Sequence, residues 1–157
     1  MHANAERVLS ALRAGGATGE VRELDESART AIDAANALGV AVGAIVKSLI
    51  FTADGVPILV LASGDHQVDT TAVATLLGVE RVRRADPEVV REATGFSIGG
   101  VAPVAHPAPL RTLVDLHLDS FEVIWAAAGT PDAVFPTTYD ELLRLTGGVP
   151  ACIAAST

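Results

Sequence analysis

The chain has 157 residues, half of them hydrophobic and 19% charged, which suits one domain with a substantial core and excludes wholesale disorder. A formal charge of −8 excludes a protein that grips nucleic acid by bulk electrostatics, because each neutralised phosphate needs a lysine or arginine; a local basic patch stays open. The single cysteine, Cys152, rules out an internal disulfide and a cysteine-built zinc site. No uncharged apolar run approaches the ~20 residues that cross a bilayer, and Glu6, Arg7 and Arg13 interrupt the N-terminal stretch in a way unlike a signal peptide. The expectation is a soluble, cytoplasmic protein with no membrane partner.

Ala5, Val8, Leu9 and Leu12 follow the spacing of one helix face, which Gly15 and Gly16 end. Val21–Leu24 reads as a short strand. Ser27 is placed to cap a second helix with Ala28, Ala31, Ile32, Ala35 and Leu38 on its inner face and Gly39 beyond its end. Ile45–Thr52 reads as an apolar strand, Ala53-Asp54-Gly55 as a hairpin turn, and Val56–Ala62 as the antiparallel return. Asp69 caps a helix built on Ala72, Val73, Leu76 and Leu77 that stops at Gly78, and Val79–Val82 is a strand candidate. Asp86-Pro87 starts a short helix that ends before Gly95, and Ser97–Val104 is extended and rich in glycine and proline. Leu113–Leu116, Phe121–Ala127 and Ala133–Phe135 read as strands. Thr138 and Glu141 form a capping-box pattern ahead of Tyr139, Leu142 and Leu143, and Ala151–Ala154 is a last edge strand. Strands outnumber the crossover helices of a wholly parallel sheet. The expected fold is therefore α+β, a single domain with a mixed, mostly antiparallel sheet and helices around it.

Ten of the eleven basic residues are arginines, and the only lysine is Lys47. On a strand it shares a face with Ile45, Leu49 and Phe51 and has no nearby sequence partner, so burial would lower its pKa unless a carboxylate or an anionic ligand compensates. A strand-edge lysine that snorkels to water is the alternative. Gly95-Phe96-Ser97-Ile98-Gly99-Gly100-Val101-Ala102-Pro103 pairs glycines that let backbone N–H groups approach an anion or a carbonyl oxygen; an ordinary turn between strands fits equally. Gly95-x-Ser97-x-Gly99 also matches a nucleophile elbow with Asp115 and His117 downstream, but the helix the elbow requires cannot start at Gly100-Val101-Ala102-Pro103. His66 and His106 are expected as surface loop residues, with Asp65, His66 and Asp69 marking a turn and helix cap. Arg81, Arg83, Arg84 and Arg91 are expected as a solvated face, with contact to a nucleic-acid backbone as the other reading. No metal-ligand spacing is present.

Together these residues resemble the YbaK / prolyl-tRNA-synthetase-associated editing domain family. The resemblance rests on Leu38-Gly39 closing a helix, Lys47-Ser48-Leu49 in an apolar strand, and Gly64-Asp65 after the antiparallel return. It continues through Thr94-Gly95, the Gly99-x-x-x-Pro103 loop, Val114-Asp115 and Ala127-Ala128-Gly129. It covers roughly residues 20–155, within a single domain spanning 1–157 whose first 19 residues form a packed helix or a loose arm.

The resemblance implies a barrel-like YbaK fold and a free-standing trans-editing enzyme that hydrolyses the ester joining a wrong amino acid to the 3′-terminal adenosine of a tRNA. Carried over residue by residue, it puts Lys47 and the loop from Gly99 to Pro103 in the substrate pocket, and the chemistry of ester hydrolysis makes Lys47 and the Gly100 backbone the expected catalytic groups. Ser48, Gly99, Val101, Ala102, Pro103 and Gly129 then line or rim the substrate pocket. Family members often have a serine or glycine where this chain has Ala127 and Ala128, and the loss of a hydroxyl or of backbone room there would alter which side chain fits, leaving the amino acid edited open. Hydrolysis of an activated ester needs positioned water, a site for the developing oxyanion and an oriented ribose, but no protein nucleophile, cofactor or metal. The implied partners are the acceptor end of an aminoacyl-tRNA and an aminoacyl-tRNA synthetase. A non-catalytic module that binds aminoacyl-tRNA or a nucleotide and docks on a synthetase is the second reading, and monomer and homodimer both stay open.

Overall fold

The structure, a computed structural model, describes residues 1–25, 28 and 30–154. Five helices, α1 (Ala3–Ala14), α2 (Ala31–Leu38), α3 (Thr70–Leu77), α4 (Pro87–Thr94) and α5 (Tyr139–Thr146), surround one sheet. Its strands are β1 (Arg22–Glu23), β2 (Ile45–Ala53), β3 (Val56–Ser63), β4 (Val82–Arg84), β5 (Arg111–Asp115), β6 (Ile124–Ala127), β7 (Ala133–Thr137) and β8 (Val149–Ala151). They pair in the order β1-β7-β6-β2-β3-β5-β8, with β4 added to β2 off this path. Pairings β2–β6, β3–β5 and β5–β8 are parallel and the other four antiparallel, so the sheet is mixed as expected. The path is open, with no pairing between β1 and β8 among the described residues. Nor is any described helix long and apolar enough to cross a membrane.

The central hairpin follows directly from its turn. Asp54 and Gly55 both adopt positive φ (47° and 85°), the requirement of a two-residue turn whose twist matches the strands. Alternation then divides β2 between two cores. Val46 and Ile50 point into the larger one with Leu59, Leu61, Val114, Ile124 and Phe135, whereas Phe51 and Ala53 join Ile58, Val60, Ala62, Val73 and Leu113. Both faces of β2 are thus covered, which accounts for its near-continuous apolar sequence.

Helix α1 is a packed helix and not an arm. Ala5, Val8 and Leu12 are fully buried in the larger core, and the Arg7 guanidinium lies 4.5 Å from the Phe96 ring centroid. The expected cap Ser27 lies outside the described residues. Thr30 caps α2 instead, through a capping box in which Thr30 Oγ1 accepts from the Asp33 N–H (3.1 Å) and the Asp33 carboxylate accepts from the Thr30 N–H (3.4 Å). In this helix Ala34 and Ala35 face inward, while Ile32, expected inside, is 63% exposed. In α5 only half the expected box forms. Thr138 accepts from the Glu141 N–H, but the Glu141 carboxylate accepts from the Thr137 hydroxyl (2.7 Å).

Gly64, at the end of β3, donates its N–H to the Ile45 carbonyl (2.7 Å), and a Cβ there would lie 2.3 Å from the Val42 carbonyl oxygen. Gly55 has nothing within 4 Å of such a Cβ, so an alanine there meets only the left-handed backbone penalty of about 1–2 kcal/mol. Gly64→Ala is therefore expected to lower the urea midpoint more than Gly55→Ala, as read by circular dichroism.

Candidate active site at a gap in the sheet

The outer edge of β2 is shared by two strands that do not meet. β6 pairs with it only at Ile45 and Val46, and β4 only at Phe51, Thr52 and Ala53. Between them a cavity of about 230 Å³ opens onto residues 47–50. Its walls are Ala31 and Ala34 of α2, Ile45, Lys47 and Ser48 of β2, Trp125 and Ala127 of β6, Arg84 and Val90 near α4, and Ile98, Gly99 and Val101 of the glycine loop. The volume lies below the roughly 300–1,000 Å³ of sites for drug-sized molecules, so it admits one end of a ligand. Among the described residues of its lining the only charged side chains are Lys47 and Arg84, and the cavity is locally cationic in a chain of net charge −8.

Lys47 is half-buried and does have partners. Its Nζ donates to the His66 carbonyl, and the Asp65 and Asp115 carboxylates are close enough to favour the ammonium. Burial and the Arg84 guanidinium outweigh them and hold the Lys47 pKa below the ordinary lysine value. The carbonyl that Lys47 reaches belongs to a braced loop. Asp115, only 2% exposed, accepts from the Ser63 N–H (3.0 Å), the His117 N–H (3.0 Å) and the His66 Nδ1 (2.8 Å). Ser63 Oγ contacts the Gly43 carbonyl (2.6 Å) and Asp65 Oδ1 (2.7 Å), and His117 Nε2 lies 3.4 Å from Asp65 Oδ2. Burial alone would raise the Asp65 pKa, but the Ser63 hydroxyl and both histidines bring it below its usual value.

The expectation of a surface histidine at residue 66 is therefore corrected, because its ring is tied to a buried carboxylate 49 positions away. His106 is likewise part-buried, donating from Nε2 to the Ala102 carbonyl (2.7 Å). Asp65, His66 and His117 bring three potential metal-ligand atoms within 4.8 Å of one another. However, the two rings stack with centroids 4.4 Å apart and planes at 26°, so their in-plane lone pairs run side by side instead of converging on one point. The cluster as arranged braces the Lys47 loop.

Of the residues expected at the site, Lys47, Ser48, Gly99 and Val101 meet at the cavity. Gly99 has φ 89° in a turn closed by the Gly100 N–H donating to the Ser97 carbonyl (2.9 Å). Gly100 is thus not free to offer its N–H to a ligand in this arrangement; it is a glycine because a Cβ would lie 3.0 Å from the Thr130 backbone. Ala102 is fully buried in the larger core, and Pro103 lines a groove with His106 and Arg144 apart from the cavity. Gly129 (φ 97°) packs under α1, where a Cβ would lie 2.9 Å from the Asn4 carbonyl oxygen. Ala127 reaches the cavity and Ala128 is core. Ser97 is exposed and no helix follows it, while Asp115 is committed to His66, so no serine triad assembles. Sequence reasoning did not single out Trp125, Ile98 or the α2 alanines as cavity walls.

Residues 25–145 match the model of the aminoacyl-tRNA editing domain. The chain belongs to this family. It is 32% identical over 124 residues to the uncharacterized protein YwhH of Bacillus subtilis, covering 78% of each chain. It is also 33% identical over 121 residues to a proline–tRNA ligase of Bacillus licheniformis; these residues are 74% of this chain but only 21% of the ligase. Among solved structures, a proposed trans-editing enzyme for prolyl tRNA synthetase superposes with a TM-score of 0.95 at 44% identity, over 99% of both chains. That superposition includes α1, which lies outside the region matched by the family model.

The charges around Lys47 predict a shift pattern. In a heteronuclear NMR titration the Lys47 ammonium is expected to deprotonate below the usual lysine range. Asp65→Asn should lower that midpoint further by removing an attractive charge, whereas Arg84→Ala should raise it.

Proposed function

We propose that this editing domain is an aminoacyl-tRNA deacylase that acts in trans, hydrolysing the ester between a mischarged amino acid and the 3′-terminal adenosine. The observation that carries the reading is the cavity itself, which is small, mostly apolar and rimmed by two cations where the sheet parts. The apolar walls suit an amino-acid side chain, and Lys47 and Arg84 suit the phosphate and ribose oxygens of the acceptor end. An anionic substrate also offsets the cost of a half-buried ammonium, which favours a charged Lys47 that holds the substrate over a neutral one acting as a base. In this reading the Gly99 N–H, which has no backbone acceptor among the described residues, serves the developing oxyanion. Water then attacks the ester carbonyl, and the ribose hydroxyl leaves with a proton. The likeness to a proposed trans-editing enzyme for prolyl tRNA synthetase supports a tRNA of that system as substrate and that synthetase as partner.

Incubation with a panel of mischarged tRNAs, following release of the labelled amino acid, tests this reading. Release from one or a few species is expected, falling about 10²-fold or more in Lys47→Ala. A folded protein that releases nothing from any species would instead be a binding module. Because the Lys47 pKa is lowered, the enzymatic rate above spontaneous hydrolysis is expected to fall as pH rises through that pKa, earlier than an ordinary lysine would dictate. Asp65→Asn should move the fall to still lower pH. A rate that climbs through the same range would assign Lys47 the role of base.

A further inference from the structure

The hydrogen-bond parity of β2 singles out one residue. The Gly64 N–H bonds the Ile45 carbonyl, so odd-numbered β2 residues face β3 and even-numbered ones face the outer edge. The Ala85 N–H bonding the Ile50 carbonyl (3.1 Å) on that outer edge agrees. Val46 is paired by β6, and Ile50 and Thr52 are served from the β4 side, which leaves Ser48. Its main-chain N–H and C=O point into the gap with no strand partner among the described residues. Its Oγ is also buried and has no hydrogen-bond partner among the described residues. On the opposite rim, the Ala128 N–H bonds the Ala133 carbonyl (2.8 Å), so Ala127 presents its own carbonyl toward β2 just beyond the last paired residue, Ala126.

Main-chain groups at a strand edge bond another strand, water or a ligand, and these three, beside the buried Ser48 hydroxyl at one wall of the cavity, form a donor and acceptor set open to a ligand. The spacing is that of one missing strand residue. We infer that this gap reads the backbone of the aminoacyl group, rather as a strand edge accepts a peptide. The Ser48 and Ala127 carbonyls accept from the substrate α-amino group, and the Ser48 N–H donates to the ester carbonyl oxygen. The two nearby cations favour the neutral amine, which still carries two N–H donors. Main-chain recognition is indifferent to the side chain, so the apolar wall is free to select it by size. This inference rests on the deacylase reading and adds how the substrate class is recognised.

The probes are adenosine carrying glycyl or alanyl groups through a stable 3′-amide, and their acetyl and propionyl twins, which lack only the α-amino group. Titration calorimetry on the wild-type protein is expected to show the twins binding about tenfold or more weakly, the scale of one or two lost hydrogen bonds. Ser48→Pro removes the N–H at a position where the β3 ladder does not use it, so the fold is expected to persist by circular dichroism. It should weaken amino and deaminated probes alike, whereas Ser48→Ala should change binding less. Equal affinity for amino and deaminated probes overturns the inference, and if mischarged tRNA is still deacylated the enzyme reading survives it. Binding of neither probe, with no deacylation, removes both. The wild-type comparison decides the matter even if Ser48→Pro fails to fold.

Discussion

One strand edge has to serve two partners. β6 runs parallel to β2 and meets it at its first residues, while β4 runs antiparallel and meets it at its last. Each partner turns away before reaching the other, and the four residues between them line a cavity that neither covers. The surrounding architecture supports this parting. Helix α2 packs small alanines over one side, and the Gly99 turn, held in place by Gly100 seated on the Thr130 backbone, closes the other. Bulkier residues at these positions would fill the space, and a longer β6 would pair the edge and abolish it.

The electrostatics follow from the same geometry. Lys47 stands at the first position of the gap, and the loop that follows β3 brings Asp65 and the His66 carbonyl to its ammonium. That loop is anchored from below by Asp115, whose carboxylate gathers two backbone N–H groups and an imidazole at the end of β5. The buried carboxylate and the stacked histidines thus bear on the cavity through Lys47, and none of them lines it. A chain of net charge −8 in this way presents a locally cationic cavity without a broad basic surface.

Local signals were legible in the sequence where a few neighbouring residues decide the structure. Asp54-Gly55, Asp69, Pro87 and the helix-ending Gly39, Gly78 and Gly95 do what their chemistry implies, while Asp86 stands at the cap position of α4 without a side-chain bond to it. The lone lysine was also conspicuous, because nothing but function or snorkelling explains a lysine in so apolar a strand. What could not be read is whatever depends on distant pairing. The gap at Ser48 arises from where β4 and β6 stop, and no local pattern states that. The Asp115 brace joins residues 49 and 52 positions apart, so His66 looked like an ordinary loop histidine. Gly100 and Gly129 were conspicuous as glycines, but each is one because backbone packs against it, and only Gly99 and Val101 of the loop reach the cavity.

The central claim is that the parting of β4 and β6 along β2 is the reaction site. Backbone amide NMR, with a stable 3′-amide-linked aminoacyl-adenosine added, tests it most directly. The account predicts shift changes confined to the amides of Lys47 to Leu49, Ile98 to Val101 and Ala127, with the groove around Pro103 to Leu110 unmoved. Changes centred on that groove, or none at saturating probe, would contradict it.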